Sequence, residues 1–163
     1  MSMHYVIAGA GPAAIAAAEH LRELDSDGEI TLIGAQAQPP YSRMAIPYFL
    51  TGKVGEDGTY LRRSSDHYTK KRINLVHGEV VAVDAGAHQV TLADGQQLSY
   101  DKLLLATGAE PIIPPVPGMD DSRVQQCWHL EDAQKIIELA KPGARAVQVG
   151  AGFIGCIILE SWV

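Results

Sequence analysis

The chain has 163 residues, 47% of them apolar and 20% charged, with a formal net charge of −6. That length and balance fit one globular domain, or one domain with a fragment of a second, and leave no room for wholesale disorder. The acidic balance, with no basic run longer than Lys70-Lys71-Arg72, speaks against a nucleic-acid binder. The start, Met1-Ser2-Met3-His4, lacks the basic region of a signal peptide. No apolar run reaches the roughly 18–20 residues of a membrane span.

His4 to Ala8 is short, apolar and β-prone, and predicts a strand. Gly9-Ala10-Gly11-Pro12-Ala13-Ala14 follows, then an alanine-rich helix from Ile15 to Leu24, then a second strand from Glu29 to Gly34. This is strand–turn–helix–strand with GxGxxA at the turn. Gly9 permits the tight turn, Gly11 lets the backbone approach a pyrophosphate, and Ala14 lets the helix sit close to the strand. The helix start then offers unpaired N–H groups to phosphate oxygens. An acidic ribose partner is expected about 20 residues past such a turn. The residue there is Gln36, a neutral and weaker partner; the alternative is an ordinary loop residue.

Pro39 to Lys53 is rich in proline and aromatics and interrupts the helix–strand rhythm. It suits a wall around a planar cofactor, with Arg43 near phosphate or ring, and a packed surface loop is the alternative. Ser64 to Arg72 predicts a short helix capped by Ser64 or Ser65. Asn74 to His77 predicts a strand. Glu79 to Asp84 and His88 to Leu92, with a turn at Ala93 to Gln96, predict a β-meander. The six histidines show no metal-ligand spacing. Tyr100 to Leu105 predicts a buried strand running into Ala106-Thr107-Gly108, whose small residues leave a crevice at a strand end. A proline-rich linker ends at Pro117-Gly118.

Glu131 to Lys141 predicts a helix, stopped by Pro142-Gly143. Ala144 to Val149 predicts a strand, and Gly150-Ala151-Gly152-Phe153-Ile154-Gly155 is a full GxGxxG. The start of the chain recurs here: Val6 with Val147, Gly9 with Gly150, Gly11 with Gly152, Glu19 with Glu160. Two dinucleotide fingerprints suggest two dinucleotides exchanging electrons. The second unit has one strand and a short helix, which cannot bury a parallel strand. Ile154, Ile157, Ile158, Leu159 and Trp162 are therefore expected to pack back on the chain, to meet another copy, or to stay exposed.

These residues resemble the N-terminal part of the FAD-dependent pyridine nucleotide–disulfide oxidoreductases. The most similar branch contains NADH oxidase-like proteins, ferredoxin and rubredoxin reductases and the reductase part of nitrite reductase. The resemblance runs along essentially the whole chain, through GAGPAA, PPYSR, IPYFLTGK, YDKLLLATGA, PPVPG and VGAGFIG. It implies an α/β fold: a Rossmann-like FAD-binding domain with a parallel sheet, helices and a three-stranded meander, then the first βα unit of a second Rossmann domain. Residues 1–118 would be the FAD-binding segment. Residues 119–163 would be a linker helix and the start of an NAD(P)H-binding domain.

By the same resemblance, Gly9, Gly11, Pro12, Ala13 and Ala14 fall on the FAD pyrophosphate turn and Gln36 on the adenosine ribose. Arg43 and Lys53 fall on the flavin side, Val81 at the adenine, and Ala106, Thr107 and Gly108 on the ATG motif. Gly150, Gly152 and Gly155 fall on the NAD(P)H fingerprint. Three departures stand out. Met44 takes the place of the redox cysteine of thiol-using members, so no catalytic residue is assigned. Ile157 stands where many members carry Glu near the nicotinamide. The rest of the NAD(P)H domain, the returning FAD segment and the interface domain lie beyond these residues.

Two cysteines, Cys127 and Cys156, cannot build a disulfide framework, which points to a reducing, cytoplasmic setting. Cys156, on a helix meant for a sheet, is expected to be buried and inert. Two functional readings remain. One is an FAD-dependent NAD(P)H oxidoreductase, present as a truncated chain, that passes electrons to an unidentified acceptor, which for a longer form would be an electron-acceptor protein. The other is a non-catalytic truncated dinucleotide-binding module that holds FAD weakly or not at all. Self-association through the apolar C-terminal segment is expected; nucleic-acid and membrane partners are not.

Overall fold

The computed structural model describes residues 2–162; the Trp162 side chain lies outside the described residues. The elements run β1 (His4–Ala8), α1 (Pro12–Leu24), β2 (Glu29–Gly34), α2 (Ile46–Leu50), α3 (His67–Lys70) and β3 (Ile73–His77). Then come β4 (Val80–Asp84), β5 (Gln89–Leu92), β6 (Gln97–Ser99), β7 (Lys102–Leu105), α4 (Leu130–Leu139) and α5 (Phe153–Leu159). They sort into two compact units, one of residues 1–41 and 60–108, the other of residues 42–59 and 109–163.

The first unit is a parallel sheet in the order β3-β2-β1-β7 with an antiparallel β4-β5-β6 meander. Strands β1 and β2 lie inside the sheet, so their apolar runs are buried on both faces. On one face Ile7, Ile30 and Leu32 meet Ala14, Ile15 and Ala18 of α1 and Tyr68 of α3. On the other, Val6 and Ile33 meet Val90 and Leu92 of the meander. Each large side chain so buried contributes about 1.5–3 kcal/mol. The small Ala14 and Ala18, both fully buried, bring α1 close to the sheet.

Helix α1 stops at Asp25, whose Oδ1 accepts the N–H groups of Asp27 and Gly28. Arg22 in its last turn donates to the carbonyls of Asp25, Ser26, Lys71 and Arg72, which ties the helix end to the turn after α3.

Several expectations are corrected. The helix expected over Ser64–Arg72 is shorter, His67–Lys70, with Asp66 at its N-cap and no serine cap. The Ser64 hydroxyl donates to the Asp66 carboxylate instead, and Arg72 turns left-handed at φ 51. Strand β7 is not buried: it is the sheet's edge, and Leu105 is 60% exposed. The loop expected over Pro39–Lys53 contains helix α2, with Pro47 in its first turn where a missing N–H costs nothing. The strand expected over Ala144–Val149 does not form. A parallel strand lives on ladder bonds to a neighbour, and Val147 and Val149 instead stand 89% and 83% exposed.

The second unit packs α2 against α4. Asp132 accepts the N–H of His129 at 2.9 Å, completing a capping box at the start of α4. Ile158 of α5 is buried and lines a small cavity of about 30 Å³ with Leu50, Ile136 and Ile137. Phe153, Ile154 and Leu159 of α5 stay exposed. Cys156 is exposed rather than buried, because no sheet lies under α5. Cys127 is half-buried, and burial pushes its thiol up to about 11, so it is unreactive near neutral pH.

Replacing both Val147 and Val149 by Lys is expected to change stability by no more than about 0.5 kcal/mol, as for exposed positions generally. Urea denaturation followed by circular dichroism checks this. A loss of about 2 kcal/mol or more would mean that the two valines are buried after all.

Candidate functional site

The site is built where β1 gives way to α1. Gly9 takes φ +120 and donates its N–H to the Ile33 carbonyl at 2.8 Å. A Cβ there would stand 2.1 Å from the Ala106 carbonyl oxygen. Gly9 therefore serves close packing against the segment after β7, whose Ala106 N–H bonds to the Ala8 carbonyl at 2.8 Å. Gly11 differs: its φ is an ordinary −79, and a Cβ would meet nothing within 4 Å. The space in front of Gly11 is open. Gly11 is also the N-cap of α1 and supplies no side-chain cap, while Pro12 carries no N–H. The first-turn N–H groups of Ala13 and Ala14 are thus left to a ligand or water, at the positive end of the helix.

Ala106, Thr107 and Gly108 lie beside this turn, and Gly108 takes φ +78. Gln36 follows β2 and lines a cavity of about 400 Å³ that also reaches Ala10 of the turn and Gly34. The structure thus brings Ala106 against Gly9 and places Gln36 on one cavity lining with Ala10 of the turn. Val81 lies on β4 at a register shift between Val80 and Ala82, outside the lining of that cavity.

Arg43 and Lys53 belong to the second unit. There the Arg43 guanidinium lies 5.0 Å from the Trp128 ring centroid and 3.9 Å from a Glu110 carboxylate oxygen. Lys53 is exposed and donates its N–H to the Tyr48 carbonyl. Met44 is exposed.

The second fingerprint repeats the backbone of the first. Gly150 takes φ +98, and Gly152 has φ −74 and ψ −177 against −79 and −178 at Gly11. Cys156 donates to the Gly152 carbonyl at 3.0 Å, as Ile15 does to Gly11 at 3.1 Å. A Cβ on Gly155 would meet the Gly150 carbonyl oxygen at 2.9 Å.

Sequence reasoning missed the far wall of the cavity, which Arg62, Arg63, Ser65, Tyr68 and His77 help to line. They arrive there because β3 pairs with β2, a long-range event with no local signal. Glu19 on α1 anchors this wall. Its carboxylate accepts Arg62 Nε at 2.7 Å and Nη2 at 2.5 Å, and its Oε1 lies 2.7 Å from His67 Nε2. Chiefly the Arg62 hydrogen bonds, with help from His67, hold the Glu19 carboxyl below the usual carboxylate range, against an opposing effect of burial. Burial pushes the Tyr68 hydroxyl above its ordinary pKa.

Residues 3–160 match the family described as pyridine nucleotide-disulphide oxidoreductase. The chain is 36% identical over 160 residues to the NADH-dependent phenylglyoxylate dehydrogenase subunit epsilon of Aromatoleum evansii, covering 98% of this chain and 38% of that one. It is 34% identical over 163 residues to the rubredoxin-NAD(+) reductase of Pseudomonas putida, covering 99% of this chain and 42% of that one. The crystal structure of a covalent putidaredoxin reductase–putidaredoxin complex superposes with a TM-score of 0.87 at 32% identity, over 98% of this chain and 39% of that one. The chain spans about two fifths of the length of the relatives it matches. With the match running almost from end to end, the chain belongs to the pyridine nucleotide-disulphide oxidoreductase family.

Proposed function

We propose that this chain is the FAD-binding portion of an NAD(P)H oxidoreductase. The observation that carries the reading is the first turn, where Gly11 faces open space at an uncapped helix start next to a cavity of about 400 Å³. The pyrophosphate of FAD fits over Gly11, Ala13 and Ala14, and its ribose fits at Gln36. Gly9 and Ala106 to Gly108 shape the crevice, and Val81 offers its backbone to the adenine. Arg43 and Lys53 serve the flavin side. When bound, FAD supplies a hydride acceptor and a one-electron donor in a single group. The protein's share is to bind, to orient and to keep water from the reacting face.

Residues 119–163 are read as the start of the NAD(P)H-binding domain, with Gly150, Gly152 and Gly155 on its phosphates. The names of two relatives, a rubredoxin reductase and a putidaredoxin reductase, favour a small redox protein as acceptor. Two free cysteines suit a reducing, cytoplasmic setting.

The test is a visible absorption spectrum of the purified chain, followed by titration with FAD. A flavin spectrum at the intact mass of the chain supports the reading, and a folded chain that binds neither FAD nor ADP overturns it. A second reading, a dinucleotide-binding module without turnover, is favoured by the unformed strand over Ala144–Val149. NAD(P)H consumption with an artificial acceptor separates the two.

Gln36→Glu is expected to tighten FAD binding about fivefold, because a charged acceptor strengthens the bond to a ribose hydroxyl. Flavin-fluorescence titration reads the change. Unaltered affinity would remove Gln36 from the site.

A further inference from the structure

The Arg43 guanidinium lies over the Trp128 ring, 5.0 Å from its centroid. The indole is itself fixed. Its Nε1 donates to the Ala109 carbonyl at 2.9 Å, and the backbone N–H of Trp128 donates to the Asp132 carboxylate at 3.1 Å. Asp132 belongs to the first turn of α4, so the start of that helix sets where the ring stands. Glu110, next to Ala109, brings one carboxylate oxygen to 3.9 Å from Arg43 Nη2 and the other to 2.9 Å from His129 Nε2. At 3.9 Å the charges attract without a hydrogen bond, so this contact leaves the guanidinium's donors unspent. A free arginine side chain samples many rotamers, and a ligand that binds it must bear the entropy of fixing it. The ring face and the loose counter-ion fix this head group in advance.

We propose that Trp128 is a positioning residue for FAD binding: its ring face holds the Arg43 guanidinium ready for an electron-rich group of FAD. The proposal rests on the reading that Arg43 serves the flavin side of the bound cofactor. It adds to that reading a residue that acts without touching FAD. Because Trp128 acts through Arg43, its effect on FAD vanishes when the Arg43 charge is removed.

Flavin-fluorescence titration of the 163-residue chain with FAD, run as a double-mutant cycle, tests it. Trp128→Leu is expected to weaken FAD binding about fivefold, the scale of a partly desolvated cation–π contact. Arg43→Gln should weaken it about tenfold, the scale of a hydrogen bond from a charged group. The double variant should stay near the loss of Arg43→Gln alone instead of reaching the product of about fiftyfold that independent residues give. Trp128→Phe keeps a weaker ring face, so it should weaken binding about twofold, and not at all when Arg43 is replaced by Gln. It carries the test if Trp128→Leu does not fold. Full FAD affinity in Trp128→Leu, or equal losses with and without the Arg43 charge, overturns the proposal and leaves the FAD reading standing. An Arg43→Gln chain that binds FAD as the parent does also overturns it, and takes Arg43 out of the site. A folded parent chain that binds no FAD overturns both.

Discussion

Replacing Gly9 by Ala is expected to destabilise the chain by about 3 kcal/mol or more, the range of overpacking combined with backbone strain. The added Cβ would lie 2.1 Å from the Ala106 carbonyl oxygen, and the residue would have to hold φ +120. The neighbour in the way is backbone, bonded through Ala106 N–H to the Ala8 carbonyl, so relief requires β1 and β7 to part. Gly11 provides the contrast within the same turn. A Cβ there meets nothing within 4 Å at an ordinary φ of −79. Gly11→Val should therefore stay within about 0.5 kcal/mol of the parent in stability while losing nucleotide affinity. Urea denaturation and FAD titration on both variants separate the two roles. A Gly9→Ala chain as stable as the parent would contradict the turn described here. A Gly11→Val chain that binds FAD unchanged would put the pyrophosphate elsewhere.

Glu19→Gln is expected to cost about 2 kcal/mol at neutral pH. It removes the charge that receives two bonds from Arg62 and one contact from His67. Breaking a fully buried pair costs about 3–5 kcal/mol. Here the Glu19 side chain is 17% exposed and that of Arg62 36%, so solvent screening lowers the figure.

The pH dependence follows in sign. The folded carboxyl of Glu19 is held below its unfolded value. Its contribution is therefore complete above about pH 5 and is lost as pH falls through roughly 4 and below. Denaturation midpoints of the parent and the Gln variant should differ at pH 7, and the gap should narrow as pH falls below the ordinary carboxylate range. A gap that persists at low pH would assign the effect to packing rather than to charge. Because Arg62 lies on the cavity wall, the Gln variant should also bind nucleotide less tightly.

Much of the first turn was legible because its signals are local. A β-prone run, two glycines and an alanine-rich helix occupy consecutive positions. Gly9 turned out to face Ala106 and Gly11 to face open space, a division of labour that the motif implies without naming the partner. The meander was legible through its alternation and the Ala93–Gln96 turn. The second fingerprint keeps its turn geometry in the absence of a strand, since φ at Gly150 and the helix start at Gly152 depend on neighbours in sequence.

Other features depended on residues far away. The β-prone run Ala144–Val149 was misread as a strand because propensity describes a fit to a pleated sheet, and no sheet neighbour stands beside it. Leu103 to Leu105 read as buried, and lie at an edge instead, because nothing in their own sequence records how many strands follow. Arg63 and Tyr68 reach the wall of the cavity at Gln36 through the parallel pairing of β3 with β2.

The amino-acid order alone was enough for the β1–turn–α1–β2 unit and for the glycine backbone of both fingerprints. Each of these is set by steric preference and hydrogen bonding within a few residues. The strand order, the far wall of the cavity and the Glu19–Arg62–His67 anchor arose only on folding. They join residues dozens of positions apart, and such contacts form only when buried apolar area outweighs the entropy of closing the loops between them.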